Sequence, residues 1–458
     1  GTTFKTRVLD DIGDQDIVSK LINKRSDNEF LELMANLGGH CVPTLCDAFN
    51  GIKDDKPTAF IAYTIKGWGT PLAGHKDNHA GLMTKIQMDS FKSKFGITEG
   101  NEWNSFLDAK EDLELNEFIK NSAFQKARHR KYNSKKISVD EIILITETKI
   151  STQNAFGKIL DQYAKNDTEF GNRIITTSPD VSVSTNLGPW INKKGLFSRT
   201  DSSDTFRDRK IPSAQKWIFS SQGQHIELGI AEMNLFLMLG AAGLSHELFG
   251  ERLFPIGTVY DPFIARGLDA MNYACYQDAR FMIVGTPSGV SLAPEGGAHQ
   301  SIGTPLIGIS QPGLLSYEPA FADELSIIMN YGFNYLQDEN GGSIYLRLTT
   351  RSIEQPLRDI NHELKQNVIK GGYWLRKPGP NPEIIIIYQG VVASEAVKAT
   401  GLLGERFKDI GVLGITSSDN LFHDWKNKYL SNEKNNKNSH IEDLLKIIPK
   451  DTKVVTVI

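Results

Sequence analysis

The chain reads as an α/β protein of successive domains, each built on a parallel or mixed sheet. Three observations predict this. Apolar, β-branched runs recur at Thr58–Ile65, Arg280–Gly285 and Glu383–Tyr388, and a run apolar on successive residues suits a strand covered on both faces. Stretches with helical spacing separate these runs. Gly-rich segments follow two of them directly, at the carboxyl ends where open α/β sheets place their ligands. With 458 residues, two or three domains are expected.

Composition narrows the function classes. The chain is 40% hydrophobic and 23% charged, with a formal charge of −4, which gives no electrostatic case for nucleic acid. The densest basic patch, Lys126–Lys136, reads as a solvated linker or helix face. Cys41, Cys46 and Cys275 have neither metal-ligand spacing nor a disulfide framework, so a cytoplasmic, reducing setting is expected. No apolar run reaches membrane-spanning length, and the amino terminus lacks a signal-peptide profile.

Each element follows from local pattern. Residues 1–50 are polar and helical, with Asp14–Lys24 and Asn28–Leu37 apolar at helical spacing and Gly38-Gly39 as punctuation. Thr58–Ile65 is expected as a buried parallel strand. The loop behind it, Lys66–Gly81, holds four glycines, one proline, His75 and His79. Residues 85–140 are charged, with helices expected over Lys110–Lys120 and Phe124–Lys136, and they read as a connection between domains.

A second α/β unit is expected from Ile142. Ser151 supplies a hydroxyl cap for a helix, and Arg173–Asp180 is a strand ending in a carboxylate. Ser221–Gly240 opens with Gly, Gln and His and becomes a helix apolar on nearly every face, so that helix is expected to be buried. Glu232 inside it needs a partner or a neutral state. A plain structural pairing with an arginine is one solution. Arg252–Val259 is the next strand and runs into Tyr260, Phe263 and Arg266. Arg266 is expected to open a helix over Gly267–Tyr276 and to pair with a carboxylate such as Glu227 or Asp269.

Strand Arg280–Gly285 leads into a Gly-rich loop carrying Glu295, His299 and Gln300. Helix Asp323–Tyr331 and strand Ser343–Thr350 follow. Residues 355–380 read as a Pro- and Gly-bearing connection. A third unit has strand Glu383–Tyr388, helix Ala393–Leu403 and strand Ile410–Ile415. The β-branched run Lys453–Ile458 needs strand partners. That open run and the Gly at residue 1 lead to the expectation that the chain is an internal fragment of a longer protein.

Gly229-Ile230-Ala231-Glu232-Met233-Asn234 resembles the catalytic-glutamate helix of the transketolase-like thiamine diphosphate enzymes. Across Glu227–Pro356 the chain is similar to the decarboxylating first component of 2-oxo acid dehydrogenase complexes, in the single-chain type associated with pyruvate. Ser316-Tyr317-Glu318-Pro319-Ala320 adds to that likeness. Glu295-Gly-Gly-Ala-His299-Gln300 resembles the family's (Glu or Ala)-Asp-Gly-x-Thr-His-Gln, with Gly and Ala where the family has Asp and Thr.

The resemblance implies a transketolase-like thiamine diphosphate-binding fold. Residues 1–95 would be the tail of a pyrophosphate-binding domain and 96–140 a helical connection. Residues 141–355 would form the pyrimidine-binding domain and 370–458 the start of the C-terminal domain. Glu232 would hold the ring nitrogen of the aminopyrimidine. Tyr260 and Phe263 would stack on that ring, a contact worth about 1 kcal/mol beyond burial. Asp180 would approach the cofactor across a subunit interface, although a turn or cap role suits it equally. His299 and Gln300 would face the substrate. His79 best matches the loop histidine of the first domain, with His75 as its competitor.

The implied reaction is oxidative decarboxylation of a 2-oxo acid, pyruvate first, with transfer to a lipoyl group on a partner acyltransferase. The implied assembly is a homodimer. Magnesium would hold the diphosphate, with ligands expected upstream of residue 1, and the given fragment is therefore expected to be inactive. Gly13-Asp14-Gln15 is the nearest approach to the family's metal motif. Transketolase is the alternative enzyme, for which only Arg351 and Lys149 offer phosphate-binding charge. A non-catalytic subunit of the same fold is the third reading.

Overall fold

A computed structural model describes residues 3–13, 16–104, 112–122, 125, 134–141, 144–200, 208–430 and 438–458. The chain forms two compact units, residues 1–129 and 130–458.

The first unit is helical in its ordered elements: Phe4–Ile12, Asp16–Asn23, Asp27–Ala35, Val42–Asn50, Lys85–Lys94 and Leu113–Asn121. Ser26 begins the third helix with a reciprocal capping box to Glu29, which satisfies two otherwise orphaned amides. Asp14, Gln15, Lys110 and most of Phe124–Lys136 lie outside the described residues.

One expectation fails in this unit. Thr58–Ile65 has no regular secondary structure and joins no sheet, with Ile61 fully exposed and Tyr63 56% exposed. A strand is held by ladder hydrogen bonds to a neighbour, and the first unit has no other strand among its described residues. The amide of Ile65 instead donates to His40 Nε2 at 2.8 Å.

The second unit is organised by an eight-stranded sheet. Its strands are β2 (Ile174–Ser178), β3 (Leu196–Phe197), β4 (Phe219–Ser220), β5 (His225–Glu227), β6 (Phe254–Val259), β7 (Met282–Gly285), β8 (Leu314–Tyr317) and β9 (Ser343–Arg347). Their order is β4-β3-β5-β2-β6-β7-β9-β8, and every pairing is parallel. After β2 the chain builds outward on one side, and from β6 it builds on the other. That reversal makes the β2/β6 boundary a topological switch point, where open α/β sheets form a crevice.

Both faces of the sheet are covered. Met282, Ile344 and Leu346 point into a core with Phe156, Phe170, Phe254 and Phe333. Their neighbours Ile283 and Tyr345 point the other way, against Leu235, Phe236, Leu239 and Met271. The alternation is the period of two of a pleated strand. Helices Thr152–Lys165 and Ala322–Tyr335 belong to the first face, Glu232–Gly243 and Leu268–Tyr276 to the second. At Gly257 in β6 an added Cβ would stand 2.7 Å from Leu239 Cδ1. The missing side chain lets the Glu232 helix lie close on the sheet.

The Ser221–Gly240 stretch differs from its expected form in two respects. Residues 225–227 are a short strand, and the helix starts only at Glu232. Nor is that helix buried all round: Leu235, Phe236 and Leu239 are enclosed, while Met233 and Leu237 are 41% and 58% exposed. One helix can set only one stripe against one sheet, so the opposite apolar stripe faces outward.

The 355–380 connection is also more ordered than expected. Asn361 caps a helix over His362–Lys370 by accepting the Leu364 amide, and Gly371 ends it at φ 107. β11 (Gly372–Arg376) follows and runs antiparallel to β13 (Gly411–Ile415). β13 and β14 (Lys453–Val457) flank β12 (Ile384–Gln389), both parallel to it, in a four-stranded sheet ordered β11-β13-β12-β14. The carboxyl-terminal run thus finds its strand partner. β1 (Lys149–Ile150) and β10 (Ile353–Glu354) form a separate antiparallel pair.

Candidate functional site

The parallel register aligns the carboxyl ends of β2, β5, β6 and β7, and the candidate residues of the second unit follow those ends. Asp180 stands two residues past β2, Glu232 five past β5 and Tyr260 directly after β6, while His299 lies in the loop after β7. Sequence separation between them reaches more than a hundred residues, yet the sheet brings them to one edge.

Glu232 is the first residue of its helix and is 9% exposed. There its carboxylate lies at the positive end of the helix dipole. Its partner is Arg266, whose Nη1 donates to Oε1 at 2.7 Å. The expected partners of Arg266, Glu227 and Asp269, are not the ones used. Glu227 accepts the Asp180 amide at 2.8 Å and the Ser182 hydroxyl, with His225 Nε2 at 3.3 Å. Burial acts to raise the Glu227 carboxyl, but these contacts outweigh it and hold it below the ordinary range. Asp180 itself adopts φ 65, a left-handed conformation that Asp tolerates better than most residues.

Around Arg266 the rings gather. Its Cζ lies 3.7 Å from the centroid of Phe263. Phe263 and Tyr260 have centroids 5.9 Å apart, and His299 is 5.4 Å and 5.5 Å from them. Glu232, Tyr260, Phe263 and His299 therefore form one cluster, with Arg266 bridging the acid to the rings. Gln300 is half-buried, and its backbone N–H donates to the Gly297 carbonyl at 3.2 Å. His299 Nδ1 is 3.2 Å from the Glu295 carbonyl oxygen.

Asp261 is fully buried beside this cluster, and sequence reasoning passed over it. It accepts Thr304 Oγ1 at 2.5 Å, the hydroxyls of Ser301 and Tyr345, and the Arg347 guanidinium. Arg347 reaches on to Glu318, which Gln389 Nε2 also meets at 3.2 Å. Burial pushes the Glu318 carboxyl upward against the opposing pull of Arg347. The available signal was Arg347 itself, a cation in the apolar strand Ser343–Arg347, which demands a buried acid.

His75 and His79 belong to the first unit. His75 Nδ1 accepts the Asp77 amide at 3.2 Å and caps the single turn Lys76–His79. His79 Nδ1 is 2.5 Å from Lys66 Nζ. Arg351 and Lys149 are engaged by acids, Arg351 with Glu395 and Lys149 with Glu354 at 4.0 Å. Two clefts, about 440 and 580 Å³, open beside Asn154 and Lys158 and beside Trp374 and His440. Neither is lined by the ring cluster, whose claim rests on its chemistry.

A doubly covered parallel sheet with helices on both faces and the candidate residues at its carboxyl edge is the transketolase-like fold. Solved structures agree on the fold: a transketolase from Leishmania mexicana superposes with TM-score 0.62 at 17% identity, over 91% of this chain and 56% of that one. A transketolase mutant from Pichia stipitis gives 0.65 at 17% identity, over 92% and 58%.

The more particular likeness is in sequence, for residues 144–356 match the pyruvate dehydrogenase E1 component middle domain. The chain is 24% identical over 418 residues to the pyruvate dehydrogenase E1 component of Cupriavidus necator, covering 84% of this chain and 45% of that protein. For the Escherichia coli K12 protein the identity is 24% over 425 residues, covering 85% and 46%. The chain thus spans about half the length of the curated relatives it matches.

The fit of these residues to thiamine diphosphate can be judged from Arg266. A flat, nitrogen-bearing group already lies on Phe263 and meets Glu232, and an aminopyrimidine would need the same kind of ring face and a hydrogen bond between its ring nitrogen and that acid. The pyrimidine half of the cofactor fits. Among the described residues no group of three or more His, Cys, Asp or Glu side chains could hold a metal ion, so no step is assigned to magnesium.

Proposed function

We propose that the protein takes part in thiamine diphosphate-dependent oxidative decarboxylation of a 2-oxo acid, with pyruvate as substrate and a lipoyl group on a partner acyltransferase as acceptor. The observation that carries this reading is the Glu232 carboxylate at a helix amino terminus beside the Tyr260, Phe263 and His299 rings. When bound, thiamine diphosphate supplies the carbon nucleophile and electron sink that let the substrate carboxyl group leave as carbon dioxide.

The chain's own residues bind and move protons. Glu232 exchanges a proton with the aminopyrimidine ring nitrogen. Tyr260 and Phe263 hold the ring by stacking. Asp180 reaches the cofactor from across a subunit boundary, and His299 with Gln300 orients the substrate. His79 serves as the first unit's proton shuttle, with His75 as its competitor; each ring is engaged through Nδ1, His79 with Lys66 and His75 with the Asp77 amide. Residues 1–95 act as the tail of the pyrophosphate side, 141–355 as the pyrimidine-binding domain and 370–458 as the start of the C-terminal domain.

A homodimer accounts for the outward apolar stripe of Met233 and Leu237, next to exposed Ile230. Exposed apolar patches of this kind mark interfaces. We assign the assembly to the cytoplasm; no helix among the described residues is long and apolar enough to cross a membrane. Transketolase is disfavoured because Arg351 and Lys149, the two cations available to a sugar phosphate, are each paired with a carboxylate, Glu395 and Glu354. The test is pyruvate-dependent reduction of an artificial electron acceptor by the complete protein. Efficient two-carbon transfer from xylulose 5-phosphate to ribose 5-phosphate would reverse the choice.

A further inference from the structure

We infer that Arg266 is a gate on the pyrimidine site, and that its guanidinium must leave before cofactor can enter. The inference rests on the cofactor reading above and concerns the regulation of that site. Arg266 Nη1 is 2.7 Å from Glu232 Oε1, and its Cζ is 3.7 Å from the Phe263 centroid. A guanidinium is planar and carries only N–H donors, so it satisfies both the acid and the ring face. An aminopyrimidine seeks the same oxygen and the same kind of face. A ring that takes the Oε1 atom and the Phe263 face now covered by Arg266 can do so only once the guanidinium has moved.

The backbone at the gate is pinned while about half of its side chain faces solvent. At Gly267 an added Cβ would stand 2.3 Å from Phe236 Cδ2 and 2.9 Å from the Glu232 carbonyl oxygen. The chain therefore presses on the Glu232 helix here, and only a residue without a side chain fits. This fixes the start of the Arg266 side chain within reach of Glu232. The side chain itself is 53% exposed and has water to swing into. Half-exposed ion pairs and cation–ring contacts are each weak, so a ligand of ordinary affinity can displace them. Holding the gate shut lowers the apparent cofactor affinity by the fraction of molecules that are open.

The experiment titrates the intact protein and its Arg266→Ala variant with thiamine diphosphate at fixed magnesium, followed by calorimetry. The variant is expected to bind about three- to thirtyfold tighter, the range two weak contacts would give. Methylguanidinium in excess should refill the space, weakening cofactor binding to the variant while leaving the parent protein unchanged. Arg266→Gln, which keeps the side-chain stem without the charge, should move in the same direction and guards against misfolding of the alanine variant. Cofactor binding by the parent with equal or weaker binding by both variants would overturn the gate alone. Absence of cofactor binding by parent and variants alike would overturn the cofactor reading, and the gate with it.

Discussion

Arg347 and Asp261 meet inside the protein, with the arginine Nε and Nη2 each 3.3 Å from Asp261 Oδ2 and neither residue more than 5% exposed. Burial works against the guanidinium charge, but Glu318 and Asp261 outweigh it and hold Arg347 above its ordinary value. Ser301 and Thr304 share the same aspartate. One buried carboxylate therefore ties the end of β6, which bears Tyr260, to the loop that bears His299.

Asp261→Asn should cost about 3–5 kcal/mol, because it removes one side of a buried ion pair and turns an amide toward hydroxyl donors. Ser301→Ala should cost about 1 kcal/mol and speed amide exchange across residues 296–304. Urea midpoints and hydrogen exchange measure both. An Asp261→Asn protein as stable as its parent would show that the pair is dispensable.

Glu232→Gln in the complete protein should leave folding intact and reduce turnover by several powers of ten, since Gln cannot exchange a proton with the ring nitrogen. Circular dichroism checks the fold and acceptor reduction the rate. Parent-like turnover would remove Glu232 from the catalytic role.

Glu227 predicts a pH dependence of stability. Its folded value lies below the unfolded one, so its contribution is complete above the unfolded carboxylate range, about 4.3. It fades as pH falls through the folded value. The stability gap between parent and Glu227→Gln should therefore be widest at neutral pH and narrow below pH of about 4. Parallel curves across that range would contradict the contacts drawn with Ser182, His225 and the Asp180 amide.

The thiols should label in order. Hydrogen bonding from the Thr44 side chain and amide holds the Cys41 thiol below its usual range, whereas burial pushes Cys275 up to about 12. Iodoacetamide near neutral pH should modify Cys41 in the folded protein and reach Cys275 only after denaturation. Peptide mapping reads the order, and early labelling of Cys275 would refute the packing around it.

Leu237→Glu places a charge on the outward apolar stripe. It should convert a dimer to a monomer in light scattering, with little change in the melting of the isolated subunit, because Leu237 is 58% exposed in the single chain. A variant that stays dimeric would move the interface elsewhere.

The sequence by itself determined the local elements. Helix Ala393–Leu403 has the bounds its periodicity implies, the strands Phe254–Val259 and Met282–Gly285 lie within the expected runs, and Ile384–Gln389 passes the end of its run by one residue. Period, caps and chain breakers act over a few residues, and one stretch of chain contains all of them. The acid, rings and histidine of the cluster were singled out in the sequence by resemblance to a family's motifs, and the structure adds that they stand together. What only the tertiary structure decided was partnership. Thr58–Ile65 has a strand's composition and no ladder, Lys453–Val457 has a ladder with β12, Arg266 serves Glu232, and Asp261 joins Arg347. A hydrogen bond or ion pair needs a second group, and where that group lies depends on how distant segments pack rather than on the residues beside it.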